Sequence, residues 1–135
     1  MIPTKWVLSC KTDEHGRVTK AKARLVARGF SQREGIDYFE TFAPTPAAGC
    51  IRLLAATACE LDLDLCHFDA EQAFVQSNLE EDVFLRLPRG CGNMSVQVVR
   101  LNLSLYGLKQ ASRSWQSHLL TRMRTRGFEQ CSTID

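Results

Sequence analysis

The chain has 135 residues, 44% of them apolar and 24% charged, with a formal net charge of +2. That fits one domain with a fair core and argues against a disordered or low-complexity chain. No apolar run is long enough to span a bilayer, and Met1-Ile-Pro-Thr-Lys5 lacks the basic-then-apolar pattern of a signal peptide, so an intracellular protein is expected, with cytoplasm and nucleus not distinguished.

The charge is unevenly placed. Residues 1–33 carry eight Lys/Arg and two acids, 34–82 one Arg and eleven acids, and 83–135 eight Lys/Arg and two acids. Two basic segments around an acidic centre suit a protein that grips a phosphate backbone and holds cations between. The competing reading is a set of solvated faces. The six cysteines, at 10, 50, 59, 66, 91 and 131, form no Cys-x-x-Cys pair and read as free thiols in a reducing compartment. Cys66 and His67 are adjacent on an expected strand, so they point to opposite faces and do not converge on one ion.

In chain order, Lys5–Cys10 reads as a strand and Asp13-Glu-His-Gly16 as a turn. Across Val18–Val26, Lys20, Lys22 and Arg24 fall at every second position and project from one strand face. Residues 5–26 are therefore expected to form a β-hairpin with a basic face. Gly29–Pro44 is loop-like, and its aromatics Phe30, Tyr38, Phe39 and Phe42 are expected to pin it to the core; stacking on bases is the alternative. Residues 50–60 predict a helix with Ile51, Leu54, Ala55 and Ala58 on one packing face. Leu63, Leu65 and Phe68 belong to a short apolar run expected to be a buried strand, with Asp69 at its exit. Residues 78–88 predict a turn and a strand, 90–95 a turn, and 96–103 a strand antiparallel to the last. Gly107 predicts a tight bend before a helix over Ser112–Arg126, with Trp115, Leu119, Leu120 and Met123 on its core face and Gly127 as its stop.

The most informative stretch is Phe68-Asp-Ala-Glu-Gln-Ala-Phe-Val-Gln-Ser-Asn-Leu79. A carboxylate at the open end of a buried strand can hold a divalent metal beside a substrate. Asp69 as a simple cap of the next segment is the alternative. This stretch resembles the first catalytic motif of copia-type retrotransposon reverse transcriptases. Two further blocks resemble the same family in the same order: Lys22-Ala-Arg-Leu-Val-Ala-Arg-Gly-Phe-Ser-Gln-Arg-Glu-Gly-Ile-Asp-Tyr-Phe-Glu-Thr-Phe-Ala-Pro44 and Arg100-Leu-Asn-Leu-Ser-Leu-Tyr-Gly-Leu-Lys-Gln-Ala-Ser-Arg-Ser-Trp115.

The resemblance implies an α+β fold: an antiparallel sheet with about two main helices, the fingers and partial palm of a right-hand polymerase. Residues 1–58 and 77–108 would be fingers-like, and 59–76 and 109–135 palm-like. It implies deoxynucleotide transfer to a primer on an RNA or DNA template, with two Mg²⁺ ions held by aspartates. Asp69 would be one of those aspartates, with the Ala70 backbone carbonyl as a further ligand. Lys22 and Arg24, then Arg28, would hold the triphosphate of the incoming nucleotide. Phe74 falls at the steric-gate position, where a ring excludes a 2′-hydroxyl; on its own it also reads as a core residue. Tyr106 would lie near the template and the nucleotide.

The family's remaining two aspartates sit in a Tyr-x-Asp-Asp turn, and this sequence has no adjacent Asp pair. Asp62 and Asp64 precede the motif and do not replace it. Ala47 stands where the family has a basic residue, Gln76-Ser77 where it has Asn-Gly, and Ser112 where it has Pro. The expectation is a polymerase fragment that lacks the thumb and is inactive alone, from a diverged copy. A non-catalytic nucleic-acid-binding remnant and an inert remnant are the alternatives.

Overall fold

The computed structural model describes residues 1–130. Its strands are β1 (Ile2–Thr12), β2 (Val18–Ala27), β3 (Phe84–Arg86) and β4 (Val98–Arg100), and its helices α1 (Ala48–Glu60) and α2 (Ala111–Arg124). Short 3-10 turns occupy Gly29–Ser31, Ala73–Gln76 and Gly92–Met94. The fold is α+β with two principal helices, as expected. Its sheet, of order β2-β1-β3-β4, is mixed rather than antiparallel. β1 runs antiparallel to β2 and β3 antiparallel to β4, but Ile2 and Pro3 of β1 pair parallel with Leu85 and Arg86 of β3. The long crossover through α1 returns the chain in the direction of β1, and a crossover of that length permits a parallel pair.

The hairpin forms where the β-branched and alternating residues predict it. Its turn is closed by the Asp13 amide donating to the Arg17 carbonyl at 3.0 Å, with Gly16 at φ +77°. Asp13 Oδ1 accepts from the amides of His15 and Arg17. This is a three-residue hairpin loop whose last residue needs positive φ, which is why glycine stands there. Cross-strand pairing sets Ser9 opposite Lys22, Lys11 opposite Lys20, and Val7 opposite Arg24. Residues paired in this way share a face, so Lys11, Lys20, Lys22 and Arg24 line one side of the hairpin, with Lys5 next along β1. On the other side, Trp6 Nε1 donates to the Arg89 carbonyl at 3.0 Å and ties the hairpin to the 88–91 turn.

The core is small. Ile2, Ala27, Val83, Leu85, Leu108 and Ala111 are buried together, and Phe74, Leu79, Val99, Leu101 and Leu105 pack around them. α2 rests on the 73–76 turn. Its C-terminus is closed by the Phe128 amide on Met123 O and the Gly127 amide on Arg124 O, with Gly127 at φ +84°: a Schellman end.

Three sequence expectations fail. Residues 63–70 form no strand, and Leu63, Leu65 and Phe68 are exposed, Phe68 by 80%. The apolar run has no neighbouring strand to pair with among the described residues, and an isolated strand gains nothing in water. On α1 only Ala58 is buried, and Ile51 and Leu54 stay exposed, because no described element covers that face. Of the aromatics in the 29–44 loop only Tyr38 is buried, while Phe30, Phe39 and Phe42 face solvent. Polar contacts, described below, hold that loop instead. The Gln76-Ser77 replacement costs no backbone strain: positive φ outside glycine falls at Asp62, Gln72 and Val96. Ser77 is buried and its hydroxyl donates to Phe74 O at 2.8 Å.

Candidate nucleotide and metal site

Asp69 is exposed, but it sits in irregular chain and not at the strand end expected for it. Ala70 beside it is half-buried. Two residues on, Gln72 takes a left-handed φ of 52° and starts the 3-10 turn that carries Phe74. Phe74 meets Tyr106 edge-on, with ring centroids 5.0 Å apart and planes at 66°. The pair forms a half-buried aromatic wall on the core. Phe74 thus does pack, and part of its ring stays open.

The basic face of the hairpin and Asp69 act on each other. The Lys22 ammonium is held below the ordinary lysine range, first by Lys11, then by partial desolvation, Arg24 and Lys20. Asp69 works in the opposite direction and favours the charged form. Like charges crowded on one sheet face disfavour each other, and a carboxylate within Coulombic reach relieves them. A polyanion would relieve the same crowding more strongly. Arg28 follows β2, exposed at the entry to the 29–31 turn.

Among the described residues, no group of three or more His, Cys, Asp or Glu side chains could hold a metal ion. Asp69 belongs to no such group. One carboxylate and one backbone carbonyl do not make a site for two Mg²⁺ ions, each of which needs several oxygen ligands. Cys10, Cys50, Cys59, Cys66 and Cys91 are free thiols, as expected. No helix among the described residues is long and apolar enough to cross a membrane.

Tyr38 pins its loop as expected, and two glutamines with no expected role, Gln32 and Gln110, join the 27–38 segment to the 106–111 segment. Gln32 Nε2 donates to Gln110 Oε1 at 2.9 Å, Gln110 Nε2 to the Asp37 carbonyl at 3.0 Å, and the Lys109 amide to Gln32 Oε1 at 2.8 Å. Lys109 Nζ reaches the Tyr38 hydroxyl at 2.9 Å. Arg113 pairs with Glu40 further out. The two glutamines stand inside the blocks that carry the family resemblance, and that was the available signal.

The family model for Reverse transcriptase (RNA-dependent DNA polymerase) matches residues 1–135. The chain belongs to the reverse transcriptase family. Similar proteins include the retrovirus-related Pol polyprotein from transposon TNT 1-94 of Nicotiana tabacum, 37% identical over 94% of this chain and 10% of that protein. The corresponding polyprotein from transposon RE2 of Arabidopsis thaliana is 35% identical over 95% of this chain and 9% of its own length. An uncharacterized mitochondrial protein of Arabidopsis thaliana is 41% identical over 47% of this chain and 37% of its own length. The chain thus spans about a tenth of the Pol polyproteins it matches. No solved structure matches it.

Proposed function

We propose that this reverse transcriptase segment carries the incoming-nucleotide side of a polymerase site. Lys22 and Arg24, with Arg28 next, hold the triphosphate; Phe74 sits under the sugar and selects deoxynucleotides; Tyr106 backs the base and the template. Asp69 and the Ala70 carbonyl are its share of the Mg²⁺ ligands, the rest lying in carboxylates this sequence does not contain. On this reading 1–58 and 77–108 serve as fingers and 59–76 and 109–135 as palm, of which 131–135 lie outside the described residues. What supports this reading is the row of four cations, Lys11, Lys20, Lys22 and Arg24, on one hairpin face, with the Ala27 amide at the end of β2 bonded to the Tyr106 carbonyl of the aromatic wall; the Lys22 ammonium, lowered by its cationic neighbours and raised by Asp69, agrees with it. A cationic row beside a carboxylate and an aromatic wall suits a nucleoside triphosphate better than a purely solvated face does.

The chain's own groups bind and orient. Lys and Arg neutralise the phosphates, Arg through two donors at once. The Phe74–Tyr106 wall excludes water from one side of the sugar. In the whole polymerase, positioning and charge stabilisation of this kind supply nearly all of the acceleration of phosphoryl transfer. A second reading is a non-catalytic nucleic-acid-binding remnant, favoured by the lack of a metal-holding group of three or more such side chains among the described residues; its partner would be an RNA or DNA strand.

Replacing Lys22 and Arg24 together with Ala separates both readings from a solvated face. Deoxynucleotide triphosphate affinity should fall about tenfold or more, and the salt dependence of nucleic-acid binding should flatten by about two phosphate contacts. Unchanged affinity and unchanged slope would show that the charges only face solvent. Loss of strand binding without measurable triphosphate binding in the parent chain would select the remnant.

A further inference from the structure

Gln110 is 1% exposed and Gln32 6%, each far more buried than a glutamine usually is. Burial of an amide is unfavourable unless its donors and acceptors are used. Here they are. Gln32 accepts from the Lys109 amide and donates to Gln110; Gln110 accepts that bond and donates to Asp37 O, with Glu81 Oε2 further off at 3.4 Å. Below this pair, the Ala27 amide donates to Tyr106 O at 2.8 Å. Gly29 and Gly107 touch so closely that a Cβ on Gly29 would lie 2.1 Å from the Gly107 carbonyl oxygen.

The Gln32–Gln110 staple joins the loop after β2 to the start of α2, and together with the Ala27–Tyr106 backbone bond it fastens the end of β2 to the turn that presents Tyr106. One side of it carries the cationic row and the other carries half of the aromatic wall. An apolar contact of the same size would tolerate sliding, whereas paired amides fix direction as well as distance.

We propose that Gln32 and Gln110 are positioning residues: their paired side-chain amides set the separation between the triphosphate-binding cations of β2 and the Phe74–Tyr106 wall, and so decide whether one ligand spans both. The proposal rests on the nucleotide-site reading above. Its particular consequence is on selectivity. Inorganic tripolyphosphate needs only the cations, while a deoxynucleotide triphosphate needs the cations and the wall at the right spacing.

The test measures binding of deoxythymidine triphosphate and of inorganic tripolyphosphate, each with Mg²⁺, to the full chain and to Gln110→Met, Gln32→Met and the double variant. Methionine keeps length and burial and removes the amide. The ratio of the two affinities should fall about tenfold in either single variant, with tripolyphosphate affinity held. The double variant should fall short of the sum of the two single ones, since each already removes the Gln32–Gln110 bond. A variant that is merely less stable would lose both ligands in proportion, and that result, or an unchanged ratio, overturns the proposal. Hydrogen exchange gives a readout that needs no ligand. In Gln110→Met the Ala27 amide should exchange about tenfold faster while the Leu101 amide, bonded to Val83 O one residue beyond the β3–β4 pair, holds its rate. If the parent chain binds neither ligand, the nucleotide-site reading fails, and the Ala27 amide then decides the positioning claim. Equal acceleration at both amides, or none at Ala27, overturns it.

Discussion

Replacing Gly107 with Ala should be among the most damaging small changes in this chain. Gly107 sits at φ +88°, and a Cβ there would meet the Ala27 carbonyl oxygen at 2.2 Å and Val26 Cγ1 at 2.6 Å. The left-handed backbone alone costs alanine about 1–2 kcal/mol. Pushing β2 away from the turn adds an overpacking cost of about 1–3 kcal/mol, since the obstacle is backbone and cannot rotate aside. The sum is about 2–5 kcal/mol, against a whole stability of about 5–15 kcal/mol for a typical domain. Urea unfolding followed by fluorescence of the two tryptophans, Trp6 and Trp115, is the assay. With a slope near 2 kcal/mol per molar, the midpoint should fall by about 1–2.5 M. Two controls divide the sum. Gly16→Ala has positive φ and no atom within 4 Å, so it should show only the backbone cost. Gly29→Ala meets Gly107 O with no positive φ and should show only the clash. A Gly107→Ala midpoint no lower than that of Gly16→Ala would refute the close approach of β2 to the Tyr106 turn.

Titration of the Lys22 ammonium by NMR should give a pKa below the ordinary 10.5, raised by Lys11→Ala and lowered further by Asp69→Asn; no change on Asp69→Asn would separate the carboxylate from the basic face. The sign for stability follows. The unfolded chain binds more protons than the folded one between the folded Lys22 value and 10.5, so stability should gain from Lys22 as pH rises through that window. The isolated chain should extend no primer on a template with deoxynucleotides and Mg²⁺. Extension abolished by Asp69→Asn would mean that another carboxylate, such as Glu71 or one from a second chain, completes the site.

The hairpin, its basic face, both helices and the Schellman end were legible because each depends on local pattern: alternation, a turn glycine, an apolar stripe, a terminal glycine. The fate of residues 61–68 was not. Leu63 and Leu65 alternate with Asp62 and Asp64 as a strand should, but pairing is a long-range event and no described strand offers an edge. The exposed Ile51 and Leu54 on α1 follow from the same lack of a partner element. For the candidate site, residue identities came from the resemblance, and only their mutual placement came from the fold. Apart from their place in the resembling blocks, Gln32 and Gln110 gave no sign of pairing, because their contact spans 78 residues and a glutamine carries no periodic signal.

On the proposed function, Lys22, Arg24, Phe74 and Tyr106 form one nucleotide subsite with Asp69. Photolabelling with a base-azido deoxynucleotide triphosphate and Mg²⁺, followed by peptide mapping, tests it most directly. The account predicts label on the peptides that hold Phe74 or Tyr106, displaced by unlabelled deoxynucleotide and lost when Lys22 and Arg24 are both alanine. Label concentrated on α1 or along 61–68, or label indifferent to the two substitutions, would contradict it.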